Sequence, residues 1–244
     1  MIEQREAKMS GETRSVPASK TSRRRRNRSD PLSSELIVER ALDLTRREGA
    51  QALTMRRLGE ELGVDPTAVY RHFRDKDELV LACMDRVVAM AYDALDPHLD
   101  VQDWRGVLRA VANQSWKACE AHPAIYSPAY HRTTGGPGER KMVELLLSTL
   151  ARAGLSPRQA VLHCRTFADS MLAMCGMKAG AQSLEATLQE KDAGAWARIY
   201  AILPQEEYPA AWAHPPHLAE VTERDIHLAV TDAVISLIDA TLRG

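Results

Sequence analysis

The stretch LTMRRLGEELGVDPTAVYRHFRDKDEL, from Leu53 to Leu79, leaves this chain little freedom in how it folds. Leu58 and Leu62 lie one helical turn apart and give a short helix its buried side. Gly63 sits where that helix must end in a left-handed residue, and Val64 fills the turn. Asp65 is placed to cap a second helix, and Pro66 at its first position lacks only a donor that would go unused there. Val69 and Phe73 anchor this helix, leaving Thr67, Ala68, Tyr70, Arg71 and His72 outward. The pattern predicts a helix-turn-helix whose second helix is shaped for a DNA major groove.

The flanks extend the helical reading. Residues 1–30 lack periodicity and contain the run Arg23-Arg24-Arg25-Arg26-Asn27-Arg28, so they read as a disordered basic arm. Two roles for it stay open: a solvated tail, or an arm laid along phosphates or into a minor groove. Ser33 or Ser34 caps a first helix with Leu36, Ile37, Ala41 and Leu44 buried and Gly49 at its end. Asp75 caps a fourth helix, and Glu78 three residues on suggests a capping box. After residue 100 every periodic segment is helical: 103–121, 123–130, 139–153, 156–179 and 222–242, with a less defined stretch 183–202 and a Pro-rich segment Pro204–Pro216. No strand-like alternation occurs. The expected fold is all-α, with an N-terminal three-helix helix-turn-helix bundle joined to a larger helical domain. The domain boundaries follow as 1–30 for the arm, 31–78 for the DNA-binding bundle and 79–244 for an effector-binding and dimerisation domain.

Composition bounds the chemistry. With 244 residues, 45% of them hydrophobic and 27% charged, the chain is globular and long enough for two domains. It has no apolar run suited to a bilayer and no apolar N-terminal block, which predicts a cytoplasmic protein with no membrane partner. Cys83, Cys119, Cys164 and Cys175 form no CxxC pair and read as small buried hydrophobes, with no metal site expected. Charge is uneven: residues 1–78 hold 17 Lys+Arg against 14 Asp+Glu, net +3, and residues 79–244 hold 15 against 19, net −4. Acids within the motif (Glu60, Glu61, Asp65) mean that DNA affinity must come from oriented contacts more than from a diffuse field. No nucleophile–base arrangement, HExxH, phosphate loop or metal-ligand cluster is present, so neither catalytic residues nor a cofactor is expected.

Gly49, Leu53-Thr54, Arg56, Leu58, Leu62-Gly63-Val64, Tyr70, His72-Phe73, Lys76 and Leu79 fall in the order and spacing of the TetR family of bacterial transcriptional repressors, which the chain resembles from about Ser33 to Met84. Weaker resemblance continues through Trp104, His122-Pro123 and Ala153-Gly154-Leu155. Gly59 stands where the family usually has Ala, an expected cost of about 1 kcal/mol in helix propensity. The resemblance implies that Thr54 caps the first motif helix near a phosphate and that Arg56 reaches a phosphate or a base edge. It places Pro66, Thr67, Ala68 and Arg71 at base edges, with Arg71 the best reader of guanine. Tyr70, His72 and Lys76 would clamp phosphates. Arg57 and Arg74 read as solvated or paired with nearby acids.

The same resemblance implies a cavity for a mostly apolar small-molecule effector. Tyr92, Val111, Ser115 and Trp116 are its favoured lining residues, followed by Tyr126, Tyr130, His131 and His163. The competing reading for each aromatic is ordinary core. The Pro204–Pro216 segment, with Tyr208 and Trp212, would cover the cavity or pack on the surface. Two late helices, one with Val161, Cys164, Ala168, Met171 and Cys175 and the other with Ile226, Val230, Ala233, Leu237 and Thr241, would form a homodimeric four-helix bundle. The implied function is a ligand-responsive regulator, a repressor that binds a palindromic double-stranded operator and is released by a small molecule. An activator or a nonspecific architectural DNA binder is the alternative; as a bacterial protein it would meet the nucleoid when bound.

Overall fold

The computed structural model describes residues 32–244, so the expected basic arm lies outside the described residues. Ser33–Gly244 form one compact unit, and no strand occurs among the described residues. Helix α1 (Ser34–Glu48) starts where the Ser33 side chain accepts from Leu36 N, and it buries Ile37, Val38, Ala41, Leu42 and Leu44. A single 3-10 turn (Ala50–Ala52) leads to α2 (Met55–Leu62), capped by Thr54, whose Oγ1 accepts from Arg57 N at 3.1 Å. Gly63 ends α2 in the left-handed region at φ +69°. Helix α3 (Pro66–Tyr70) starts at Asp65, which accepts from Thr67 N at 2.9 Å.

Three local expectations need correction. The recognition helix is shorter than its apolar anchors imply: it ends at Tyr70, and Arg71 and His72 form a turn. The His72 and Phe73 amides still converge on Val69 O at 3.0 and 3.1 Å, which keeps Phe73 in the core. At α4 (Lys76–Asp93), Asp75 caps Glu78 N at 2.8 Å, but the reciprocal half of the capping box is displaced. The Glu78 carboxylate takes Arg74 N instead, at 2.7 Å. Gly59 does more than lower helix propensity. A Cβ there would lie 3.1 Å from Val64 O and 3.2 Å from the Pro66 backbone, so the glycine sits where α2 passes closest to the turn.

The remaining helices wrap a second, continuous core. They are α5 (Trp104–Ala121), α6 (Pro123–Ala129), α7 (Pro137–Arg152), α8 (Pro157–Gln182) and α13 (Glu223–Arg243). Val107, Leu108, Leu146, Leu150, Phe167, Ile235 and Ile238 meet there. Thr222 caps α13 through Asp225 N at 3.1 Å, and Asp225 returns the bond to Thr222 N at 2.9 Å. Ion pairs Arg105–Asp239 and Arg109–Asp232 tie α5 to α13.

Between α8 and α13 run four short helices: α9 (Ala186–Asp192), α10 (Ala195–Tyr200), α11 (Pro209–Ala213) and α12 (Pro215–Glu220). The segments 183–202 and Pro204–Pro216 are therefore largely helical. Yet α9, α10 and α11 bury none of their residues, and Trp196, Ile199, Ile202, Tyr208 and Trp212 are exposed.

The expected outward face of α8 is also corrected. Cys164, Met171 and Cys175 are buried within this chain's own core. Of that face Val161 is exposed and Ala168 half-buried, and the exposed apolar stripe continues instead through Leu162, Ala173 and Met177. On α13 the expected face holds in part: Ile226, Ala233 and Leu237 are exposed, and Val230 and Thr241 are half-buried.

Candidate nucleic-acid interface and ligand cavity

The motif's outward residues form one polar surface. Thr54, Arg56, Thr67, Tyr70, Arg71 and Lys76 are exposed, and Pro66, Ala68 and His72 are half-buried. Tyr70 is a large aromatic left 51% exposed although Val69 beside it is fully buried, so helix geometry alone turns it outward. The Thr67 hydroxyl and amide both bond to Asp65, and these bonds hold the Asp65 carboxyl below its ordinary range, with Arg71 adding a smaller charge effect. Among the described residues the Arg71 guanidinium makes no hydrogen bond or ion pair.

The other basic side chains are partly engaged. Arg56 pairs with Glu60 at 3.1 Å in a highly exposed pair, a weak tie that a phosphate could replace. Arg57 bridges Glu48 and Glu61, and Arg74 pairs with Glu78, as expected for residues outside the interface. His72 Nδ1 lies 3.2 Å from Ser34 Oγ, which orients the ring from α1 and leaves its other nitrogen uncommitted.

The second site is an open-mouthed cavity of about 590 Å³ lined by residues of α4, α5, α6, α7 and α8 and of the loop after α6. Of the eight expected lining residues, Val111, Ser115, Tyr126, Tyr130 and His131 line it. Tyr92, Trp116 and His163 do not. Tyr92 borders a separate shallow groove with Arg140, Lys141 and Arg152. Trp116 is core, its ring 4.7 Å from that of buried His227 and tilted 43° to it, with Lys178 and Arg224 over its face. His163 turns to α13, where Nε2 lies 3.0 Å from Thr241 Oγ1. Helical spacing fixed which residues were buried but not which of several helices each would meet.

Sequence reasoning expected α4 to contribute through Tyr92 and missed Met84, Val88 and Ala91, the α4 residues that line the cavity. It also missed the loop between α6 and α7. Arg132 on that loop pairs with Asp77 in the first turn of α4 (Nη2 to Oδ2, 2.9 Å), and the pair lowers the Asp77 pKa and raises that of Arg132. Asp85 of α4 accepts from Gly138 N and Glu139 N at 3.0 and 2.9 Å and lies 3.0 Å from the Thr134 hydroxyl oxygen. No local signal marks these pairings, because the partners lie 49 to 55 residues apart.

A helix-turn-helix bundle continuous with helices around an apolar cavity defines a class of DNA-binding proteins with a second, ligand-sized site. Residues 37–83 match the family described as bacterial regulatory proteins, tetR family. The HTH-type transcriptional repressor Rv1353c of Mycobacterium tuberculosis is 30% identical over 57% of this chain and 54% of its own length. SCO7222, a TetR from Streptomyces coelicolor, superposes with a TM-score of 0.68 at 28% identity, covering 86% of this chain and 99% of that one. ActR of S. coelicolor, solved in complex with actinorhodin, shares the fold at a TM-score of 0.73 and 20% identity, with 87% and 99% covered. Residues 37–83 are thus those of a TetR-family DNA-binding domain, and the helices that follow are similar in fold to those of solved TetR proteins. It spans about half the length of the curated relatives it matches. Among the described residues, no helix is long and apolar enough to cross a membrane.

Proposed function

We propose that this chain is a ligand-responsive repressor that binds a palindromic DNA operator as a homodimer and is released by a small molecule. One observation carries the reading: α4 belongs to both sites. Its first residue, Lys76, joins the exposed surface of the motif, Asp77 holds the cavity's Arg132 loop, and Met84, Val88 and Ala91 line the cavity. A ligand that moves α4 by its contacts there must also move the recognition helix. Linkage makes the effect reciprocal, with a coupling of about 1–3 kcal/mol typical.

In this reading, residues 31–78 form the DNA-binding domain and residues 79–244 the effector-binding and dimerisation domain, with 1–30 a basic arm. Pro66, Thr67, Ala68 and Arg71 read base edges, and Thr54, Arg56, Tyr70, His72 and Lys76 hold phosphates. The exposed stripes of α8 (Leu162, Ala173, Met177) and α13 (Ile226, Ala233, Leu237) support dimerisation through a four-helix bundle. Two-fold symmetry then calls for a palindrome. The repressor named among the relatives and the ligand-bound ActR support repression and effector binding, in a bacterial cytoplasm.

Selection of bound duplexes from a random pool, followed by footprinting, tests the proposal. A discrete two-fold symmetric footprint is expected. Uniform protection of all duplexes would mean nonspecific architectural binding, and no protection would reject the reading.

A further inference from the structure

The distribution of charge around the cavity bears on the chemistry of its occupant, and the argument rests on the effector-binding reading above. Four charged residues line the cavity: Arg132, Glu139, Arg165 and Asp169, two of each sign. Each is already engaged by the protein. Arg132 pairs with Asp77, and Arg165 Nη2 lies 3.1 Å from Asp169 Oδ2. Glu139 Oε2 accepts from the Thr134 hydroxyl at 2.6 Å and from Gly135 N at 2.9 Å. All four are half-buried or exposed, so they belong to the rim.

The deep wall is different. Met84, Met142, Met171, Phe167, Tyr126 and Cys175 are all buried there, and none carries a charge. Burial pushes the Tyr126 pKa up, and the side-chain bond with Cys119, followed by burial, pushes up that of Cys175, which keeps both groups neutral. Three thioethers and two aromatic rings make a polarisable, adaptable surface suited to flat rings. Among the described residues, the hydroxyls of Ser115 and Tyr130 have no hydrogen-bond partner, and both residues are half-buried and line the cavity. A hydroxyl can both donate and accept, so it matches a carbonyl or another hydroxyl.

We infer that the cavity takes an uncharged, largely apolar aromatic molecule bearing one or two hydroxyl or carbonyl oxygens, and that it discriminates against anions of the same shape. An anion on the deep wall would give up its hydration and find no unpaired cation in return. At the rim, Arg132 would have to leave Asp77, and Arg165 stands in an exposed pair with Asp169, where solvent screens its charge from the deep wall.

N-phenyl-1-naphthylamine and its 8-sulfonate share one ring system and differ by a single negative charge, so the pair tests the inference directly. Fluorescence titration of the full chain at pH 7.5 should show the neutral amine binding at least tenfold more tightly than the sulfonate. Val161→Trp and Val143→Trp, at exposed apolar positions of the rim, should each weaken amine binding at least fivefold. If the sulfonate binds as tightly as the amine or more tightly, the charge inference is overturned and the effector reading stands. If the folded chain binds neither probe, both fail together. Amine binding that both rim variants leave untouched would place the probe elsewhere and also overturn the inference.

Discussion

In the N-terminal bundle each helix is started by the residue just before it: Ser33, Thr54, Asp65 and Asp75 each place a side-chain oxygen on an amide two or three residues ahead. Around the cavity α5 and α8 also have local starts, at Asp103 and Ser156, but α6 and α7 do not. Helix α7 has no side-chain cap from Gly136 and draws its first amides to Asp85, 53 residues earlier. Helix α6 starts at His122 with no side-chain bond, relying on Pro123. The first region starts every helix locally, and the second adds tertiary supports at α7. A surface that must present side chains in fixed order benefits from local definition. In the proposed switch, a cavity whose occupant shifts a helix benefits from contacts that span elements.

The contrast can be broken by mutation. Phe167→Ala removes a fully buried ring from the core of the cavity region and should cost about 3–5 kcal/mol in urea unfolding. If it costs under about 1 kcal/mol, that core is not the main support of the fold. Asp85→Ala should cost about 2 kcal/mol, more than the roughly 1 kcal/mol expected for the local cap variant Thr54→Ala. Equal costs would erase the distinction between distant and local support.

Acidification sharpens the same comparison through His227 and His122, both buried, each with an unpartnered Nδ1. Burial pushes both below the ordinary value of 6.5; at His227 the bond to Ala112 O works against this and Arg224 adds to it, and at His122 Arg46 adds to it. A depressed histidine binds its proton more readily when unfolded, so stability is complete above about pH 6.5 and falls as pH drops below it. Thermal unfolding between pH 7.5 and 5 should show that fall, reduced in His227→Gln and further reduced when His122→Gln is added. An unchanged slope in the double variant would remove these residues from the account. The smallest effect is expected at Gly59→Ala. A gain of about 1 kcal/mol in helix propensity opposes a tight contact with Val64 O and Pro66, so the net change should stay below about 1 kcal/mol. A larger loss would mean the turn cannot give.

What could be read from residues alone follows the same division. Leu58, Gly63, Asp65, Pro66, Val69 and Phe73 act within one or two turns of themselves, and each falls where its chemistry required. The end of α3 at Tyr70 escaped, because Phe73 reaches the core through a turn that periodicity does not distinguish from helix. In the cavity, Trp116 and His163 were legible as buried but not as facing α13. Met84 looked like ordinary core and Met171 like part of a dimer face, because a methionine one helical turn from other apolar residues has no mark of the space beside it. The Arg132–Asp77 and Asp85 links depend on which elements pack together, which no short pattern encodes.

The central claim is that the outward face of α3 reads base pairs, and Arg71 tests it most directly because its guanidinium has no partner among the described residues. The affinity of the wild type and of Arg71→Ala should be compared on a selected operator and on an unrelated duplex at one salt concentration. The account predicts a loss of about 1–3 kcal/mol on the operator and little change on the unrelated duplex. An equal loss on both would make Arg71 a phosphate contact and contradict the base-reading assignment.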